Sequence, residues 1–130
     1  MILGRLARWL ALRSTLVAIA VDTACVLVFV VVGRRNHDED PGVGGTVRTA
    51  APFLIALAIA WAVAPRRRDL PTAPRTGLRI ALVTITLGLV LRRLVFDRGT
   101  ALPFVIVTTV VLGALLLGWR AAATHLRRLR

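Results

Sequence analysis

Hydrophobic residues fall into four long runs that are separated by short charged segments. The runs cover residues 15–32, 46–64, 77–96 and 101–119. Each approaches the roughly 20 residues that an α-helix needs to cross about 30 Å of hydrocarbon. Because a bilayer requires backbone groups to be paired within their own segment, all four runs are predicted to be helices. The third is the weakest, since its uncharged stretch covers only residues 80–91.

The predicted fold class is all-α: a polytopic membrane protein with four transmembrane helices in a single domain, residues 1–130. Short connections after the first and third runs predict two antiparallel hairpins. Residues 1–14 are a basic, amphipathic lead-in, and residues 120–130 a basic cytoplasmic tail. A cleaved secretory signal is the alternative for the lead-in. It is rejected because Asp22 lies where a cleavage box needs an apolar residue.

The two hairpins have similar sequences where their second helices begin. Residues 49–53 read TAAPF and residues 100–104 read TALPF, and an Arg pair lies upstream of each. An internal duplication, with the two copies in parallel orientation, would produce this similarity. So would the general preference for Thr and Pro at helix starts. The sequence leaves both interpretations open.

Composition and charge agree with a membrane location. Hydrophobic residues make up 57% of the chain, and the mean hydropathy is +0.76, far above the values of soluble domains. The 18 basic residues, all Arg, outnumber six acidic ones, so the net charge is +12. A nucleic-acid partner is not expected, because the arginines flank the hydrophobic runs and form no continuous basic face. Anionic lipid headgroups are the predicted partners of the cytoplasmic Arg clusters.

The distribution of arginine also predicts the orientation. Four spans place both termini on one side, and that side carries 12 of the 18 arginines. Positively charged residues accumulate in cytoplasmic segments, so both termini are predicted to be cytoplasmic. Trp9, Trp61 and Trp119 lie near the inner ends of the predicted spans, as expected for an aromatic belt.

Asp22, inside the first run, is the main candidate for a site. A carboxylate that faces lipid costs ~2.5–3.5 kcal/mol on insertion scales, so Asp22 should face the bundle interior, together with Cys25 and Phe29. The predicted cationic partner is Arg92, about 8 Å away in depth by helix rise, a gap that tilt or a water could close. The hydroxyl of Thr108 is one alternative donor. Asp22 is either a buried polar lock between helices or a proton or cation relay.

The other chemically interesting residues give weaker indications. Arg34 and His37, at the outer end of the first run, are secondary candidates. His37 precedes three acidic residues, but consecutive side chains cannot all face one metal ion, so a solvated turn is favoured and no metal is predicted. No hydrophobic run contains an internal His, which argues against a haem. No catalytic motif is present either, so neither enzymatic activity nor any cofactor is predicted.

One set of residues, spread over nearly the whole chain, matches the pattern of a known family. The set consists of Asp22, Phe29, Gly33-Arg34, His37, Pro52-Phe53, Trp61, Gly88, Arg92, residues 104–107 and Gly118-Trp119-Arg120. In these residues the chain resembles domain-of-unknown-function family 3054, a group of small prokaryotic membrane proteins. The resemblance implies a four-helix integral protein of a bacterial or archaeal plasma membrane. It implies no particular activity, substrate or cofactor.

Two functions are compatible with this pattern. The favoured one is a structural or interaction bundle, accessory to a membrane complex or forming a homo-oligomer, with Asp22 as the lock. The alternative is a small proton- or cation-coupled transporter that uses Asp22, since four short spans with an early carboxylate resemble the small multidrug resistance transporters. The strong Arg asymmetry and the scarcity of aromatic residues argue against this alternative.

Overall fold

A computed structural model of the chain describes residues 1–36, 43–63, 71–95 and 102–129, and the regular structure in these ranges is helical. The first three helices are α1 (Ile2–Asn36), α2 (Val43–Val63) and α3 (Pro74–Leu94). A fourth helix consists of α4 (Leu102–Val107), a π-helical turn (Thr108–Leu112) and α5 (Gly113–Arg128). The residues that flank the π-helical turn keep helical dihedral angles, so these three pieces are continuous.

The first and last helices are longer than the hydrophobic runs that predicted them. The predicted lead-in, residues 1–14, is the beginning of α1, whose 35 residues span about 52 Å. Arg120, assigned to the predicted tail, lies inside α5 and is completely buried. Helix α2 begins at Val43, so Pro52 lies within it rather than in its first turn. Pro74, in contrast, occupies the first turn of α3, where a missing N–H costs little.

Three of the helical stretches are long and apolar enough to cross a membrane. They are Ile2–Arg34, Gly44–Val63 and Leu102–Leu126. Helix α3 is not among them. Arginines occupy both of its ends, and the uncharged residues 80–91 between them span only about 18 Å. The predicted hairpin arrangement and internal duplication stay predictions.

The helices pack through a core that contains aromatic residues. Phe29 of α1 and Phe53 of α2 meet edge to face, with ring centroids 5.8 Å apart. The ring of Phe104 lies 6.5 Å from that of Phe53. Phe53 also presses against Gly88 of α3, where a Cβ atom would collide with its ring. The glycine therefore allows α2 and α3 to approach closely.

Large apolar side chains also cover the outside of the bundle. Leu27, Val28, Ile55, Leu82 and Val110 are all exposed, between 40% and 62%. Polar groups, in contrast, lie inside: the buried ones are Asp22, Arg34, Thr76, Thr84, Thr108 and Arg120. Apolar residues outside and a buried Asp–Arg pair inside are the distribution that a lipid solvent favours.

Candidate functional site

The Asp22 carboxylate is the centre of a buried hydrogen-bonded cluster. Arg120 donates from Nη1 to Oδ1 and from Nη2 to Oδ2, both at 2.8 Å. The indole of Trp119 donates to Oδ1 at 2.8 Å, and the indole of Trp61 donates to Oδ2 at 3.1 Å. We call these four residues the Asp22 cluster. The side chains of Asp22 and Arg120 are both 0% exposed.

Arg120 donates hydrogen bonds to backbone carbonyls as well as to the Asp22 carboxylate. Its Nε donates to the carbonyl of Pro71 at 2.9 Å, and Nη1 also donates to the carbonyl of Leu116 at 2.9 Å. Its guanidinium carbon lies 4.5 Å from the ring centroid of Trp119 and 6.0 Å from that of Trp61. A planar, bidentate guanidinium stacked on an indole is the arrangement in which burial of Arg costs least.

A glycine of α3 makes room for the Arg120 side chain. A Cβ atom built on Gly77 would lie 2.6 Å from Cδ of Arg120 and 3.2 Å from Cδ2 of Leu117. A larger residue at this position would have to displace the side chain of Arg120 or move α3 away from α5. The Asp22 cluster therefore joins α1, α2 and α5, and the close approach of Arg120 to Gly77 brings α3 against it.

The predicted partner of Asp22 was wrong. The guanidinium carbon of Arg92 lies 4.0 Å from the ring centroid of Phe104, and Asp22 pairs with Arg120 instead. Arg120 was assigned to the tail because the hydrophobic run ends at residue 119. Its spacing was the signal that was missed: Leu112, Leu116 and Arg120 recur every four residues, on one face of the helix, and all three are fully buried.

The three tryptophans differ in their surroundings. Trp61 is only 5% exposed and Trp119 is half-buried, because both indoles face Asp22. Trp9 is 61% exposed, and the guanidinium carbon of Arg13 lies 5.2 Å from its ring centroid. Trp61 and Trp119 therefore belong to the interior site, whereas Trp9 lies on the surface, where the predicted aromatic belt stays a prediction.

The secondary candidates lie away from the Asp22 cluster. Arg34 is 9% exposed and donates from Nη1 to Oγ1 of Thr49 at 3.1 Å. It lies 12 residues beyond Asp22 on α1, about 18 Å along the helix. Thr108 is fully buried in the π-helical turn, and its hydroxyl has no hydrogen-bond partner among the described residues. His37 lies outside the described residues.

The geometry determines what Asp22 can do. An ionised carboxylate offers about four acceptor positions, and the four donated hydrogen bonds occupy them. Within the described ranges, no three His, Cys, Asp or Glu residues come together as metal ligands. Asp22 therefore acts here as the common acceptor for donors from α2 and α5.

A family model described as "Protein of unknown function (DUF3054)" matches residues 19–123. This range contains all four residues of the Asp22 cluster. Searches of curated proteins and of solved structures found no match.

Proposed function

We propose that this chain, which belongs to the DUF3054 family of proteins of unknown function, is a non-catalytic helical membrane bundle that the Asp22 cluster locks together. The observation that carries this proposal is the set of four hydrogen bonds on one buried carboxylate. The donors come from two other helices. A site of this kind fixes the relative positions of helices, because each unpaired polar group in hydrocarbon costs several kcal/mol.

The same geometry disfavours a relay. A proton carrier must exchange its proton with water, whereas the side chains of Asp22 and Arg120 are both 0% exposed. Protonation of Asp22 would also leave the Arg120 charge buried without a counterion, which is costly. The transporter alternative therefore requires the cluster to open, while the lock requires it to stay closed.

In addition to the three apolar helices, we propose a fourth membrane span and an orientation of the chain in the membrane. Helix α3 serves as the fourth span, because it packs against α2 and α5 and its terminal arginines can reach the headgroups. The excess of arginine supports a cytoplasmic location of both termini. The resemblance to small prokaryotic membrane proteins supports a multi-pass protein of a prokaryotic plasma membrane. In this orientation the cytoplasmic arginines contact anionic lipids. The apolar outer face is available to a membrane-protein partner or to a second copy of the chain.

Asp22→Asn separates the lock from the relay. Purified protein is melted in detergent and is also reconstituted in proteoliposomes that contain a pH-sensitive dye. The lock predicts a lower Tm for the variant and no proton flux above that of protein-free vesicles for either protein. The matched control is Arg48→Gln, at an exposed position, which should leave the Tm unchanged.

The opposite result would refute the lock. Wild-type proton flux that Asp22→Asn abolishes, with the Tm retained, would establish Asp22 as a relay. An unchanged Tm without flux in either protein would show that Asp22 performs neither role.

A further inference from the structure

Two threonine hydroxyls inside the bundle lack a hydrogen-bond partner within the described part of the chain. They belong to Thr84 of α3 and Thr108 of the π-helical turn, and both residues are 0% exposed. Threonine hydroxyls in helices can donate to the carbonyl four residues earlier. Thr23, Thr49 and Thr109 do so, at 2.8 to 2.9 Å. Thr84 and Thr108 do not.

Both hydroxyls lie on the same side of the pair formed by Phe53 and Phe104. Thr84 is one helical turn from Gly88, which Phe53 contacts, in the direction of Gly77 and Arg120. Thr108 is one turn from Phe104, also in the direction of Arg120. Residues four apart share a helix face. By their positions along the helices, the two threonines thus lie at depths between the Phe53–Phe104 pair and the Asp22 cluster.

The backbone next to Thr108 departs from the α-helical pattern. Residues Thr108–Leu112 form a π-helical turn, a feature that is rare and frequently located at functional sites. The N–H of Gly113, at the end of this turn, is shared between the carbonyls of Thr109 and Val110. Such a shared donor is common where a helical segment ends.

We infer that Thr84 and Thr108 bind ordered water inside the bundle, enclosed between the Phe53–Phe104 pair and the Asp22 cluster. A buried hydroxyl without a partner is costly, and internal water usually satisfies such groups through two to four hydrogen bonds. Water suits this site because a hydroxyl both donates and accepts. A cation does not suit it, since Arg120 already neutralises Asp22, the buried carboxylate. The water site does not depend on the proposed function.

Water contact can be measured directly at the threonine methyl groups. The protein is labelled with 13C at threonine methyls, placed in lipid nanodiscs, and examined for magnetisation transfer from water. Thr84 and Thr108 should show transfer, although both are fully buried. Thr109, the neighbouring residue, is the control. Its hydroxyl is paired and its side chain is exposed on an apolar helix, so that lipid rather than water surrounds it in a nanodisc, and it should show much less transfer. Transfer at Thr84 and Thr108 no greater than at Thr109 would overturn the inference.

The sign of a stability change provides a second test. Valine replaces the hydroxyl of threonine by a methyl group of similar size. If water is bound, Thr108→Val removes one of its partners, so the Tm falls and water transfer to the Thr84 methyl weakens. If the site is dry, the same change removes an unpaired polar group and the Tm rises. A Tm that rises or stays constant overturns the inference, and Thr109→Val provides the baseline.

Discussion

Removing one charge from the Asp22 cluster should destabilise the protein more than a simple count of hydrogen bonds suggests. Arg120→Met leaves a buried carboxylate with two indole donors, and breaking one side of a buried ion pair costs about 3–5 kcal/mol. Asp22→Leu leaves the guanidinium unpaired, at a similar cost, and it also leaves the two indole N–H groups without an acceptor. The double variant has no buried charge, and its main loss is two unpaired indole N–H groups, worth about 1–3 kcal/mol each. The losses of unfolding free energy in the two single variants should therefore sum to a value at least about 2 kcal/mol larger than the loss in the double variant.

The assay is equilibrium unfolding in dodecylmaltoside micelles with increasing sodium dodecyl sulfate, followed by tryptophan fluorescence. Arg48→Met, at an exposed position, controls for the general effect of replacing Arg by Met. If the double loss equals the sum of the single losses within about 0.5 kcal/mol, Asp22 and Arg120 are not coupled and their pairing is refuted.

Two further predictions concern packing and the rejected partner. Gly77→Ala should cost about 1–3 kcal/mol in the same assay, because its Cβ must displace Arg120. Gly118→Ala, where no atom lies within 4 Å of the added Cβ, should be neutral or up to about 1 kcal/mol stabilising; equal effects at the two positions would contradict the close approach at Gly77. Arg92→Leu removes a cation–π contact with Phe104 worth about 0.5–2 kcal/mol. A loss as large as that of Arg120→Met would instead identify Arg92 as the essential cation.

The sequence predicted the helices well because lipid imposes a simple rule on length and polarity. The same rule predicted that Asp22 faces the interior, since a lone carboxylate in contact with lipid is costly. The partner could not be predicted by that rule. The end of a hydrophobic run is assigned from the polarity of each residue separately, so Arg120 was placed outside the fourth span. In the folded chain, a bidentate pair offsets part of the burial cost of both residues.

Other features depend on packing that a single sequence does not encode locally. The π-helical turn at Thr108–Leu112 has the sequence TTVVL, which nothing distinguishes from an ordinary helical run. A π-helical turn shifts the register of the helix that follows it, and the hydroxyl of Thr108 has no hydrogen-bond partner within the described ranges. Trp61 and Trp119 were predicted to lie in an interfacial belt, because they are located near the ends of the hydrophobic runs. Their indoles face inward because a carboxylate on another helix accepts their hydrogen bonds.

The indole N–H groups report most directly on the Asp22 cluster, because the chain has three tryptophans and two of them donate to Asp22. Solution NMR of 15N-labelled protein in nanodiscs should resolve three indole signals. Those of Trp61 and Trp119 should exchange slowly with D2O, and that of Trp9 quickly. In Asp22→Leu, both slow signals should shift and exchange faster, while the Trp9 signal stays unchanged. If the Trp61 and Trp119 signals are the same in wild type and in Asp22→Leu, Asp22 does not accept their hydrogen bonds and the lock does not exist.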